Sequence, residues 1–449
     1  MKISGLLIAA VVLAALLGVL YWSNHHPETP DSAMKASADA SPKILSVNAA
    51  DVSRIAIDHK DGQTVDLARN SSGAWQITSP KALDADQESV STLLSTLSSL
   101  NAERLIADKA SNLASYGLAA PPLQVDITLK DNKTQKLSIG DQTPSGNAYY
   151  AVLSGDPRLF TVASYNKTSL DKSAADLRDK RLLTTDFDKV SQIELIDQSQ
   201  QKKQDVTFAR NKDSWEILKP GPFRADSSQV DDLVRSLQNA KMESTDDDAK
   251  NAAAFKSAVP FAVAKVTGAS GTQELQIRKA KDDYYAESSA VPGAYKVAAT
   301  LATSVDKPLA DFRNKKLFDV GYEDPNKIEI HDGAKSYFLT RSGNDWWGPD
   351  GKKLDEASVQ ALLGSIRDLS AEKFPDSGFT TRALEITITS KDGKLVEKVA
   401  IAKTKDSYIA KRESEPALYQ ITSSSISQLE ESAANLKPIA PALASASKR

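Results

Sequence analysis

The chain has 449 residues, 26% of them charged and 41% hydrophobic, which excludes wholesale disorder and gives length for about three domains. With 56 basic and 59 acidic residues the net charge is −3, so no global field gathers polyanions and no nucleic-acid partner is expected. The absence of cysteine excludes disulfides, thiolate metal sites, cysteine nucleophiles and a lipid-modified cysteine anchor.

Residues 3–21 carry no charge. As a helix they span roughly 28 Å, close to the ~30 Å hydrocarbon core of a bilayer, so residues 1–22 are expected to form a single transmembrane anchor. Tyr21 and Trp22 fall where interfacial aromatics collect. A cleaved signal peptide is the rival reading, but Leu20-Tyr21-Trp22 is a poor cleavage context and Ala36-Ser37-Ala38 lies far downstream. Lys2 precedes the segment while Glu28 and Asp31 follow it, which places the bulk of the chain outside the cytoplasm. Residues 23–43 are small, polar and proline-containing, the composition of a flexible linker. His25 and His26 in it are expected to be solvated side chains, not metal ligands.

Three copies of one pattern follow. Trp75, Trp215 and Trp346 each precede a helix-capping aspartate, Asp86, Asp226 and Asp355. The helices share one apolar register: Val90, Leu93, Leu94, Leu97; Val230, Leu233, Val234, Leu237; Val359, Leu362, Leu363, Ile366. Alternating segments flank each pattern, such as Val52–Ile57 and Thr64–Ala68 around the turn dipeptide Asp61-Gly62. The expected fold class is therefore α+β, with tandem modules of antiparallel sheet and helix over residues 44–183, 184–318 and 319–438, and a disordered tail over 439–449. A polar helix near Ser169 to Arg181 is expected to close the first copy.

Asp176–Leu183 and Asp311–Phe318 match each other, as do Tyr149-Tyr150 and Tyr284-Tyr285. The basic segments around Arg178 and Arg313 fall at junctions between copies, and the third copy lacks one. In a strand, paired tyrosines put one ring on each face, which leaves one of each pair as a candidate contact. The acidic run Glu243–Asp248 lacks the glycine turn of a calcium loop and is expected to be solvated. His59 and His331 sit beside hairpin turns, where a surface position is expected. No nucleophile elbow, dinucleotide fingerprint, phosphate loop or paired-histidine zinc motif is present, so no catalytic residue, cofactor or metal is expected and the chain is read as non-enzymatic.

Trp75-Gln-Ile-x-x-Pro80, the Asp86 helix, Tyr116-Gly117-Leu118-x-x-Pro121, Ile139-Gly140-Asp-Gln-Thr-Pro-x-Gly146, Tyr149-Tyr150 and Leu177-Arg178-Asp179 resemble the bacterial family named domain of unknown function 4340. The resemblance covers copy one best, weakens in copy two, where the Tyr-Gly-Leu element is missing, and fades in copy three, where Gly378-Phe379 is an echo. It implies one N-terminal membrane helix, a periplasmic location on the bacterial inner membrane, and an accessory role beside gliding-motility-type ABC transporter components. The expected function is a non-catalytic interaction protein of an envelope or ABC-transporter-type complex. A periplasmic lipid- or peptide-binding module and a passive spacer are the alternatives. The candidate partner contacts are Tyr116, Gly117, Leu118, Pro121, Tyr149, Tyr150, Tyr284, Tyr285, Arg178 and Arg313.

Overall fold

A computed structural model describes residues 42–199, 205–212, 214–243, 248–319 and 325–439. The expected anchor, most of the linker, the core of the acidic run and nearly all of the tail lie outside the described residues. Among the described residues no helix is long and apolar enough to cross a membrane. The chain divides into two compact units, with the break between Asp179 and Lys180.

The first unit holds one nine-stranded antiparallel sheet. At its centre Val52–His59 pairs with Leu123–Leu129. Outward from the former run Thr64–Arg69, Trp75–Ser79 and Leu83–Asp84. Outward from the latter run Thr134–Gln142, Ala148–Leu153, Leu159–Ala163 and the edge strand Arg104–Ala107. Alternation explains the single buried face: in Leu123–Leu129, Leu123, Val125 and Ile127 are fully buried and the residues between them are not.

Helix Gln87–Ser98 crosses that face. Asp86 caps it by accepting from the Glu88 amide, which leaves Val90, Leu93, Leu94 and Leu97 to bury against the sheet. Each such side chain is worth roughly 1.5–3 kcal/mol, so the stripe outweighs the helix's modest propensity. Trp75 joins the same core at 4% exposure.

The second unit repeats this arrangement twice. An eight-stranded sheet is built around Gln192–Asp197 paired with Val259–Gly268, and a seven-stranded sheet around Lys327–Asp332 paired with Arg382–Thr389. Both keep the same strand order, and their helices Ser227–Gln238 and Glu356–Asp368 are capped by Asp226 and Asp355. The fold is α+β with three antiparallel sheets of one topology. Leu182 and Leu183 pack in the core of the eight-stranded sheet, and Leu317 and Phe318 in that of the seven-stranded sheet.

The closing segments correct the sequence reading. In place of one polar helix there are two short ones, Ser164–Leu170 and Ala174–Leu177, because Ser173 and Asp176 form a capping box that starts a new turn. Arg178 then leaves the helix with φ −73° and ψ 138° and bridges Ala85 antiparallel. Arg313 does the same against Ala225. The third copy keeps the bridge without the arginine, pairing Leu354 with Pro438, and Ile439 of the expected tail is held by the Lys353 carbonyl. A second correction is helix Asp248–Ser257, which starts at the end of the acidic run.

Candidate functional site

In the first unit the scattered family motifs meet. The segment linking the capped helix to the centre of the sheet forms a short 3-10 helix, Leu113–Tyr116, and turns sharply at Gly117, where φ is +69°. It lies on the sheet face opposite the core. Leu118 is buried there at 6% exposure, and the Tyr116 ring meets Tyr150 edge-on at 4.7 Å. Two glycines allow this approach. A Cβ on Gly140 would stand 2.1 Å from the Tyr116 carbonyl oxygen, and one on Gly117 would stand 2.3 Å from Asp141 Oδ1. Pro121 is half-buried and precedes the strand that starts at Leu123.

The tyrosine pairs split between the faces as the alternation requires. Tyr149 packs on the core with Lys167 Nζ 5.5 Å from its ring, while Tyr150 takes the Tyr116 side. In copy two Tyr284 packs on the core against Phe261 at 5.1 Å. Tyr285 lies across from Arg278, whose guanidinium stacks on Phe255 at 4.6 Å. Helix Asp248–Ser257 thus does in copy two what Tyr-Gly-Leu does in copy one, covering the outer face with a different residue set. In copy three the echo glycine Gly378 stands over Ile409, a Cβ there falling 3.7 Å from the isoleucine.

The two arginines are buried. Arg178 is 7% exposed and Arg313 is 8% exposed. The Arg313 guanidinium is held between Phe223 at 4.0 Å and Phe374 at 3.7 Å, and it makes no hydrogen bond or ion pair among the described residues. Burial pulls its pKa below the ordinary arginine value. Phe223 precedes the capped helix of copy two and Phe374 belongs to copy three, so Arg313 lies between side chains of those two copies.

Beside it lies a charge cluster that sequence reasoning missed. Arg412 donates to the Leu317 carbonyl at 2.6 Å, to Glu397 at 2.7 Å and to Asp319 at 3.2 Å, and its Nε lies 2.9 Å from Glu415. Arg224 bridges Glu415 at 3.1 Å and Asp319 at 2.6 Å and donates to the Lys316 carbonyl. Tyr419 donates to Glu415 at 2.6 Å. Burial pushes the Tyr419 hydroxyl up to about 12, with Glu415 adding to the shift, and burial likewise raises Glu397 against the opposing pull of Arg412. These groups satisfy one another and tie residues 316–319 to the seven-stranded sheet.

The histidines are engaged locally. His59 Nε2 stands 2.9 Å from Asp171 at 16% side-chain exposure, more enclosed than a turn-side surface position, and His331 Nδ1 contacts Ser336 Oγ at 3.0 Å. Among the described residues no three metal-ligating side chains cluster.

No curated protein and no solved structure matches the chain. A known family does: its description is domain of unknown function (DUF4340), and it matches residues 75–219 and again 215–385. Each match starts at the repeated tryptophan and runs into the following copy, so the family unit is offset from the structural copy by half a sheet. As the two matches together run from Trp75 to Glu385, well over half of the 449 residues, the chain belongs to the DUF4340 family.

Proposed function

We propose that the protein is a non-catalytic interaction protein, anchored by residues 3–21 in a bacterial inner membrane with its three copies in the periplasm, and that it serves an envelope or ABC-transporter-type complex. The observation that carries this reading is what the family motifs are used for. Tyr116, Gly117, Leu118, Gly140 and Tyr150 lock a loop onto a sheet face and build a shaped surface, with no acid, base and nucleophile converging among them. Long-range charge pairs likewise hold architecture, as Arg412 and Arg224 do. The uncharged N-terminal segment supports the anchor, and the family resemblance supports the partner class.

Cross-linking in intact cells followed by mass spectrometry tests the role. Capture of an ABC-type permease subunit is the expected outcome. Absence of any stable inner-membrane partner removes the accessory role and leaves the spacer. Peptide binding has one specific observation in its favour, a groove that copy one keeps open where copy two places Phe187.

A further inference from the structure

Copies one and two differ at one corner of the fold. Ahead of its first strand each carries a three-residue 3-10 helix, Ala49–Asp51 capped by Asn48 and Phe187–Lys189 capped by Asp186. In both, the capping side chain accepts from the amide two residues on, which fixes the register and makes Phe187 the counterpart of Ala49. Phe187 is 8% exposed and belongs to the core that contains Trp215 and Leu233. The cleft left beside it is about 190 Å³, and its lining does not include Trp215 or Val234. In copy one the small Ala49 leaves a groove of about 610 Å³ lined by Val47, Trp75 and Leu94, with Ser91 and Ser95 beside them. Copy three has Tyr322 at this register, outside the described residues.

The helix differs in a matched way. In copy two Trp215 Nε1 donates to Asp231 Oδ1 at 3.0 Å. Copy one has Ser91 at that position, and the Trp75 indole N–H, which has no protein acceptor among the described residues, stays open to the groove. Ser98 Oγ, on the same groove, is buried without a partner. An occupant that carries an acceptor would exchange the indole donor's water for a direct hydrogen bond while filling the volume. Arg69 also lines the groove, stacked on Trp75 at 4.6 Å and held in place by donating to the carbonyls of Val52, Gly73 and Ala49.

We propose that the copy-one groove binds a phenylalanine or tyrosine side chain from an extended segment of a partner protein, whose backbone carbonyl accepts from Trp75 Nε1. The ring takes the volume that Phe187 fills in copy two, and the carbonyl replaces the Asp231 carboxylate. An acyl chain would fill the volume but leave the indole unmatched. The assignment deepens the interaction role and rests on it for its setting.

The test uses the full chain in detergent, labelled with 5-fluorotryptophan and followed by fluorine NMR, with the Trp75 resonance identified by Trp75→Phe. The capped tripeptide acetyl-Gly-Phe-Gly-amide is expected to shift that resonance saturably and the Gly-Ala-Gly analogue to leave it in place. Ala49→Phe, which copies the second module, is expected to weaken the response by about tenfold or more, equivalent to at least ~1.4 kcal/mol. Should that variant fail to fold, Ser91→Asp, an exposed position that offers the indole its acceptor, is expected to weaken it likewise. No shift at millimolar tripeptide, a response unchanged by both variants, or a stronger response to decanoate than to the tripeptide overturns the assignment. A permease cross-link that persists undiminished in Ala49→Phe keeps the accessory role while removing the groove from it.

Discussion

Gly140→Ala is the sharpest test of how the family motifs fit together. The new methyl group would stand 2.1 Å from the Tyr116 carbonyl oxygen and 2.9 Å from Leu118 Cγ. The first of these atoms is backbone, so no rotamer change relieves the contact, and the segment must retreat by about 1 Å or more to reach ordinary van der Waals separation. Retreat uncovers Leu118, buried at 6% exposure and worth roughly 1.5–3 kcal/mol, and breaks the edge-on pair of Tyr116 and Tyr150, worth roughly 0.5–1.5 kcal/mol. The expected loss is roughly 2–4 kcal/mol, concentrated in the first unit. Hydrogen exchange read by mass spectrometry should show residues 113–121 losing protection first, and urea unfolding should show the first unit destabilised. A change under about 0.5 kcal/mol, with exchange at 113–121 unaltered, would refute the close-packing account, because overpacking a rigid contact typically costs ~1–3 kcal/mol.

Three further expectations concern the second unit. Tyr419 is neutral in the fold up to about 12 and would ionise near its ordinary 10.0 when unfolded, so the stability it contributes is present below pH 10 and lost as pH rises toward 12. The loss approaches roughly 2–3 kcal/mol, and comparing alkaline urea midpoints of the parent with Tyr419→Phe isolates it. Arg412→Met strands the buried Glu397 and is expected to cost ~3–5 kcal/mol by urea unfolding, with part recovered in Arg412→Met/Glu397→Gln. Phe187→Ala should reopen in copy two the groove of copy one and cost ~3–5 kcal/mol, since a ring leaves the core and a cavity remains; thermal unfolding measures it.

The parts of the fold governed by local rules were legible in the sequence. Asp86, Asp226 and Asp355 cap helices because a carboxylate followed by an apolar stripe at helical spacing has little else to do, and Val90, Leu93, Leu94 and Leu97 are buried as that spacing requires. Helix Asp248–Ser257 escaped notice because its alanines and lysines show no apolar stripe, and Phe255 is its one large apolar side chain. The segments at Arg178 and Arg313 looked helical, yet a sheet-like bridge to a residue 93 or 88 positions earlier in the chain, Ala85 or Ala225, takes their backbone instead. Local patterns carry no trace of such a partner. The same limit hid the cluster of Arg224, Asp319, Glu397, Arg412 and Glu415, which is drawn from four separate places in the sequence. The Tyr-Gly-Leu and Ile-Gly-Asp motifs were visible as motifs, while their mutual contact was not.

Tandem copies supply their own controls, and here the controls separate folding from binding. Every copy needs its tryptophan, its capped helix and its central strand pair, so those residues recur whatever the protein does. Positions free to drift should drift independently of one another. At the copy-one groove they do not: the position that holds a core phenylalanine in copy two is alanine, and the position that satisfies the tryptophan there is serine. Either change alone would cost stability, through a lost core ring or a lost indole hydrogen bond. Two linked losses that open one volume and expose one donor are what a site for an aromatic residue with its carbonyl requires, and random erosion of a core has no reason to produce them together.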